Sequence, residues 1–226
     1  MVQYLYTRCR RTNDNRIMIT IFSYQRKEML TNLLSELEKY EPIILDDGSD
    51  FKLESSNFHQ FEHGGKENFY KLWQFAFSEA QKSNDDFFIF LPSDFSNIDL
   101  YRIYDYYNQL RHESFVCNII NDNRKSCWGS YHPMKYNSEL NRVFFTDCGF
   151  FCNRLALEKI DFHIKAVPKS RFNRTNISSG VGQYLTYIFN KKNVKIYTPI
   201  SSLAFHGEHE SLMHPEERIK TPLISR

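Results

Sequence analysis

Three short runs of nearly unbroken apolar residues, Ile17-Met18-Ile19-Thr20-Ile21-Phe22, Ile43-Ile44-Leu45 and Phe87-Phe88-Ile89-Phe90-Leu91, constrain this chain more than any other feature. Runs without polar alternation suit strands buried on both faces, as in a parallel sheet covered by helices on each side. The segments between them have helical periodicity. Met29, Leu33, Leu34 and Leu37 recur through Lys27 to Tyr40, and Tyr70, Leu72, Trp73, Phe75, Ala76 and Phe77 through about Asn68 to Ala80. Strand and helix alternating in this order predict an α/β fold with a mixed, mostly parallel sheet flanked by helices. Further along, helices are expected at Asp99 to Leu110, near Arg154 to Ile160 and near Val181 to Phe189. Strands are expected at Phe115 to Ile120, Arg142 to Phe145, Val194 to Tyr197 and Ser202 to Phe205. The order is less regular here, which leaves room for antiparallel strands.

At 226 residues with 41% hydrophobic and 25% charged content, the chain is sized for one cored domain. Residues 1–15 read as a polar extension or edge strand before a domain over 16–226. A net charge of +2 excludes binding to nucleic acid by bulk charge alone. The one basic concentration, Lys165, Lys169, Arg171 and Arg174, reads as a solvated loop, with an anionic acceptor as the other reading. Mean hydropathy is −0.55 and no window approaches the roughly 18 apolar residues of a membrane helix, so no membrane anchor is expected. With no signal-peptide pattern and Cys9, Cys117, Cys127, Cys148 and Cys152 forming no CxxC pair, the expected setting is cytoplasmic, with reduced thiols. Asn173-Arg174-Thr175 and Asn176-Ile177-Ser178 match glycosylation acceptor patterns by chance in this reading.

Ligands of an open parallel sheet bind at the carboxyl ends of its strands, where loop amides and helix N-termini converge. All three apolar runs end in polar residues: Ser23-Tyr24-Gln25-Arg26, Asp46-Asp47-Gly48-Ser49 and Pro92-Ser93-Asp94. Each alone has a bland reading as a turn or helix cap, but three neighbouring strands ending this way define a candidate site. His63-Gly64-Gly65-Lys66 opens the next helical segment and can present a cation, Lys66, to phosphate or sugar. It is not a Walker loop, because Gln60 and Glu67 stand at the glycine and hydroxyl positions. His209 and His214 are five apart, which puts them on different helix faces and excludes a zinc-hydrolase pair.

These residues resemble those of the GT-A nucleotide-sugar glycosyltransferases, in particular the family-2-like branch, in order from Ile17 to Ser211. Ile19 to Arg26 resembles the opening strand and its T-Y-N-R segment, with Gln25 for Asn. Ile43 to Ser49 is similar to V-V-D-D-G-S, and Phe88 to Asp94 to the strand leading into D-x-D, with Ser93 in place of one acid. Thr146 to Phe151 with Arg154 and Leu157 resembles the acceptor-side G-x-x-x-x-R segment. Leu203 to Gly207 with Ser211 is similar to the late H-x-G-x-x-S segment. The resemblance implies a nucleotide-binding part at about 16–98, an acceptor-side part at about 99–226, Asp94 and His206 as metal ligands, and Mn2+ or Mg2+ as cofactor.

The chemistry agrees. Breaking the anomeric bond of a sugar nucleotide loads charge onto a diphosphate, and carboxylate with imidazole suits either ion beside it. Asp47 is the choice for a uracil imide N–H, which makes the donor UDP-linked, with Asp46 as competitor and Phe22 or Tyr24 against the ring. Arg26 can pair with phosphate, cap the base pocket or be a solvated charge, and Ser93 joins the nucleotide-binding set. For a catalytic base, Ser178 to Gln183 offers no acid where the resemblance would supply one. Asp147 is the nearest substitute, with Glu208 and Glu210 further off, and both inverting and retaining outcomes stay open. Acceptor readings include a glycan, protein, metabolite or modified nucleic-acid base, and the sequence carries no signal of oligomeric state. The rival functions are nucleotidyl transfer, disfavoured by the absence of a Gly-rich loop after the first strand, and a degenerate module that binds nucleotide or glycan without turnover.

Overall fold

A computed structural model describes residues 17–121, 133–167 and 180–206. In chain order it comprises β1 (Ile17–Ser23), α1 (Lys27–Leu37) with a 3-10 turn (Glu38–Tyr40), β2 (Ile43–Asp46), β3 (Phe58–Gln60), α2 (Gly65–Asn68), α3 (Tyr70–Lys82) and β4 (Phe87–Pro92). There follow β5 (Phe95–Ser96), α4 (Leu100–Leu110), β6 (Phe115–Asn118), β7 (Met134–Lys135), β8 (Leu140–Val143), β9 (Phe150–Asn153), α5 (Arg154–Lys159), α6 (Val181–Lys191), β10 (Lys195–Pro199) and β11 (Phe205–His206).

The main sheet runs β3-β2-β1-β4-β9-β6-β10-β8-β7. β1 pairs in parallel with β2 and β4, β2 with β3, and β6 with β10, whereas β9 is antiparallel to both of its neighbours. β8 is antiparallel to β10, so the expected mixture in the second half is present. The expected strand at Arg142 to Phe145 lies two residues earlier, because Val143 is the last residue to pair with β10. The strand expected at Ser202 to Phe205 contracts to Phe205–His206, which leaves the main sheet to pair with β5. β3, β5, β7 and β9 carried no periodicity long enough to predict.

Side chains alternate across the sheet, and β4 fills both sides. Phe88 and Phe90 pack with Trp73, Phe77, Phe150, Leu157, Leu185 and Phe189 under α3, α5 and α6. Phe87, Ile89 and Leu91 pack with Leu30, Leu33, Ile103, Tyr107 and Phe151 under α1 and α4. The high aromatic content therefore goes chiefly to core filling. Cys117 and Cys152 lie in this interior, where burial pushes both thiols well up and leaves them unreactive.

Trp73 is the centre of the first layer. Its ring stacks on Phe22 at 4.3 Å and on Phe150 at 5.4 Å, and Phe77 meets it edge-on at 5.6 Å. Its indole Nε1 is buried without a hydrogen-bond partner. Trp73→Ala is therefore expected to cost about 3–5 kcal/mol, and Trp73→Phe much less, because the latter keeps a ring and removes an unsatisfied donor. Urea denaturation of the two variants checks this order.

Candidate functional site

The two acids that end β2 have different work. Asp46 accepts from Ser49 N at 2.7 Å through Oδ1 and from Ser49 Oγ at 2.6 Å through Oδ2. Gln60 Nε2 adds a contact at 3.3 Å, and Ser49 Oγ accepts in turn from Gln25 N at 2.7 Å. Both Asp46 oxygens are thus spent tying the turn to the loop after β1. Asp47 faces the other way, towards the segment after β3, and its Oδ1 accepts from Gly64 N at 3.0 Å. His63 Nδ1 lies 2.9 Å from the Asp47 carbonyl oxygen and 3.1 Å from Oδ2, while the His63 ring stacks on Tyr24 at 4.5 Å and 12°. Asp47 is fully buried, and loss of hydration pushes its carboxyl above the usual range against the opposing pull of the Gly64 amide and His63. Of the two acids, only Asp47 borders the adjoining pocket of about 390 Å3, with Phe61, Glu62, His63, Gly64, Asn68, Lys71 and Leu72.

Gly48 makes this approach possible. Its φ is +79°, and a Cβ there would stand 2.5 Å from His63 N and 2.8 Å from His63 Cα. The close contact is backbone on backbone, so no side-chain rotation relieves it.

A second cluster forms where β4 ends. Asp94 Oδ2 is 2.5 Å from Arg26 Nη1 and 3.3 Å from His206 Nε2. His206 arrives through the two-stranded ribbon of β5 and β11, in which it pairs with Phe95 and sets its ring edge-on to the Phe95 ring. The loop beyond β5 is pinned by Glu36 of α1, whose carboxylate accepts from Asn97 N and Ile98 N at 3.0 and 3.1 Å. Arg26, at the start of α1, is therefore paired rather than solvated. Among the described residues no group of three or more His, Cys, Asp or Glu converges as a metal cage.

Asp147 lies at the entrance to β9, whose antiparallel pairing with β4 places it by the same sheet edge. Gly149 packs so tightly on Phe95 and Pro92 that a Cβ would meet the Phe95 ring at 2.5 Å. Asp147 is exposed, and its Oδ1 accepts from Cys148 N at 2.9 Å. Thr146 fixes the approach, exchanging hydrogen bonds with Thr186 of α6 at 3.0 and 2.9 Å and donating to Asn118 Oδ1 at 2.8 Å.

Other expected site residues fall elsewhere. Phe22 is 4% exposed with a ring face on Trp73, so it is a core residue, whereas Tyr24 stacks on His63. Ser93 is buried and extends the ladder by donating from its amide to Phe22 O at 2.9 Å. Lys66 belongs to α2, and its side chain is outside the described set. Arg154 bonds the carbonyls of Ala80, Ser83 and Asp85 at 2.7–3.1 Å, which caps α3 and makes it a structural anchor. Residues 1–15, Lys169, Arg171, Arg174, the glycosylation patterns, the acid-free stretch from Ser178, Gly207, Glu208, the His209 to His214 segment and Ser211 lie wholly or partly outside the described residues. No helix among the described residues is long and apolar enough to cross a membrane. Sequence reasoning named the His63 segment for its lysine and missed the imidazole. The signal was the pair of glycines after it, which free the backbone to turn towards Asp47.

No family model and no curated protein sequence matches the chain. Among solved structures, residues 1–349 of the S. aureus glycosyltransferase TarS are similar, with a TM-score of 0.53 and 16% identity over 84% of this chain and 59% of that one. A further TarS structure gives 0.53 and 14%, covering 84% and 36% respectively. The chain thus spans little more than half the length of the shorter structure it matches. The likeness establishes a glycosyltransferase-like, Rossmann-like α/β fold.

Two outcomes follow. Gly48→Ala is expected to lose about 1–3 kcal/mol, because a positive φ and a backbone collision coincide; thermal melting measures it. Because the folded Asp47 pKa is raised, the native state holds the proton more tightly than the unfolded chain. Stability should therefore fall as pH rises from the ordinary carboxylate pKa through the raised one, and Asp47→Asn should flatten that slope in denaturation curves across acid pH.

Proposed function

We propose that this protein is a glycosyltransferase that moves a sugar from a UDP-linked donor to a nucleophilic acceptor with a divalent cation. The observation that carries the reading is the meeting, at the carboxyl ends of parallel strands, of a buried carboxylate and an aromatic ring that both contact His63, Asp47 and Tyr24, and of a carboxylate and imidazole, Asp94 with His206. In this reading Asp47 accepts the uracil imide N–H and Tyr24 stacks on the base, with Arg26 exchanging its Asp94 pairing for the diphosphate and Lys66 the other candidate cation.

Asp94 and His206 are the residues that would hold a divalent ion, with Asp94 giving up the Arg26 guanidinium that now lies 2.5 Å from the same Oδ2. Neighbouring ligands of a six-coordinate ion at about 2.1 Å are about 3 Å apart, and Asp94 Oδ2 and His206 Nε2 are 3.3 Å apart. The donor set is hard oxygen with imidazole, suited to Mn2+ and Mg2+, and leaves the remaining positions to donor oxygens and water. When bound, the ion supplies Lewis-acid stabilisation of the charge that builds on the leaving diphosphate. Asp147, exposed at the same edge, is the candidate to take the acceptor proton, and the Thr146 contacts hold it in place.

The test is product formation from labelled nucleotide sugars, with melting curves in UDP, Mn2+ and EDTA. UDP with Mn2+ should raise the Tm of the wild type by mass action, and Asp94→Ala should lose the metal-dependent part. Asp47→Asn should weaken UDP binding by about 1–3 kcal/mol, whereas Asp46→Asn should act first on stability, because its oxygens close the turn. Equal stabilisation of wild type and Asp94→Ala with or without Mn2+ would remove the metal assignment, and absence of transfer from any nucleotide sugar would remove the activity.

A further inference from the structure

We propose that His63 occupies the base subsite as an internal surrogate for the nucleobase, and that a base must displace it to bind. The inference rests on the reading of Asp47 and Tyr24 as that subsite, and adds a residue that sets both its affinity and its selectivity.

The surrogate makes both contacts a base would make. The His63 ring lies 4.5 Å from the Tyr24 ring and 12° from parallel with it, a stacked pair. Its Nδ1 stands 2.9 Å from the Asp47 carbonyl oxygen and 3.1 Å from Oδ2, the position a ring N–H donor must hold to address that carboxylate. With the proton on Nδ1 the directed hydrogen bond goes to the carbonyl. Asp47 Oδ2 is completely buried and meets the same Nδ1 at 3.1 Å, off the axis of the bond to the carbonyl. A buried carboxylate oxygen in that condition favours any ligand that delivers a better-aimed N–H.

Displacement is required by the contacts themselves, since the His63 ring already covers the Tyr24 ring and holds the position beside Oδ2. The imidazole is itself easy to move. Its side chain is 47% exposed, so the ring can rotate outward about its own side-chain torsions. The pocket beside Asp47 and Gly64 gives an incoming ring room to enter.

Displacement also selects. Uracil carries an imide N–H between two carbonyls and replaces the lost donor. Cytosine presents a bare ring nitrogen at that position, an acceptor facing a carboxylate, and forfeits the exchange.

The test is calorimetric titration of the intact protein with uridine, UDP and cytidine, for wild type, His63→Ala and His63→Phe. Melting curves and circular dichroism confirm that each variant is folded. His63→Ala should bind uridine about three- to tenfold more tightly than wild type, the factor that corresponds to one net hydrogen bond. His63→Phe keeps a ring on Tyr24 without the N–H, and should fall between the two. In wild type, uridine should shift the His63 imidazole resonances towards those of a solvated ring, and cytidine should not. Uridine or UDP binding to wild type with His63→Ala equal or weaker would overturn the inference and leave the donor reading standing. Failure of wild type and both variants to bind either uridine compound would overturn both.

Discussion

Burying β1 and β4 on both faces is the constraint from which the rest follows. A strand covered on each side can carry few charges along its length, so the charged residues of these segments gather beyond its ends. At the carboxyl ends they find loop amides, the start of α1 and the entrance to β9. Trp73 and Phe87 enforce this from opposite faces, one packed on Phe22 and Phe150, the other stacked on Tyr107 at 4.1 Å. The location of the site is thus a by-product of core formation, and its chemistry a matter of which polar residues were left at the rim.

The adjacent acids show how finely position divides labour. Asp46 and Asp47 are chemically the same and both fully buried, yet one closes a turn and the other faces a pocket. Alternation along the strand end puts them on opposite sides, and the left-handed Gly48 then brings the next segment onto the second acid only. Asp94 is a third case. It is mostly shielded, and its charge is met by Arg26 and His206, which costs less than leaving a carboxylate alone in a dry environment.

Much of this could be read from the amino acids, for identifiable reasons. The long apolar runs of β1, β2 and β4 and the periodic stripes of α1, α3 and α4 carry their own signal, and so do the polar ends of three parallel strands. Nothing local in Phe205-His206 announces a strand, so the approach of His206 to Asp94 could be named only through the family resemblance. What stayed hidden was decided by tertiary partners. β9 reads as an ordinary Phe-Phe-Cys-Asn stretch, and its insertion between β4 and β6 depends on Gly149 clearing the Phe95 ring. Phe22 and Tyr24 read alike as rings to pack on a base, but strand alternation turns Phe22 inward. The Arg154 guanidinium was absorbed by carbonyls at the end of α3, which no spacing rule foretells.

The ribbon of β5 and β11 has a consequence of its own. Among the described residues it consists of two residue pairs outside the main sheet, yet it delivers His206 to Asp94. Short ladders in general open at a smaller free energy than a large sheet, which among the described residues has nine strands here. Integrity of the fold and integrity of the site are therefore separate thermodynamic quantities in this molecule. A sample can be fully native by its far-ultraviolet spectrum while some of its molecules have His206 swung out, and amide exchange at Phe205 and His206, rather than melting temperature, is the observable that reports how many.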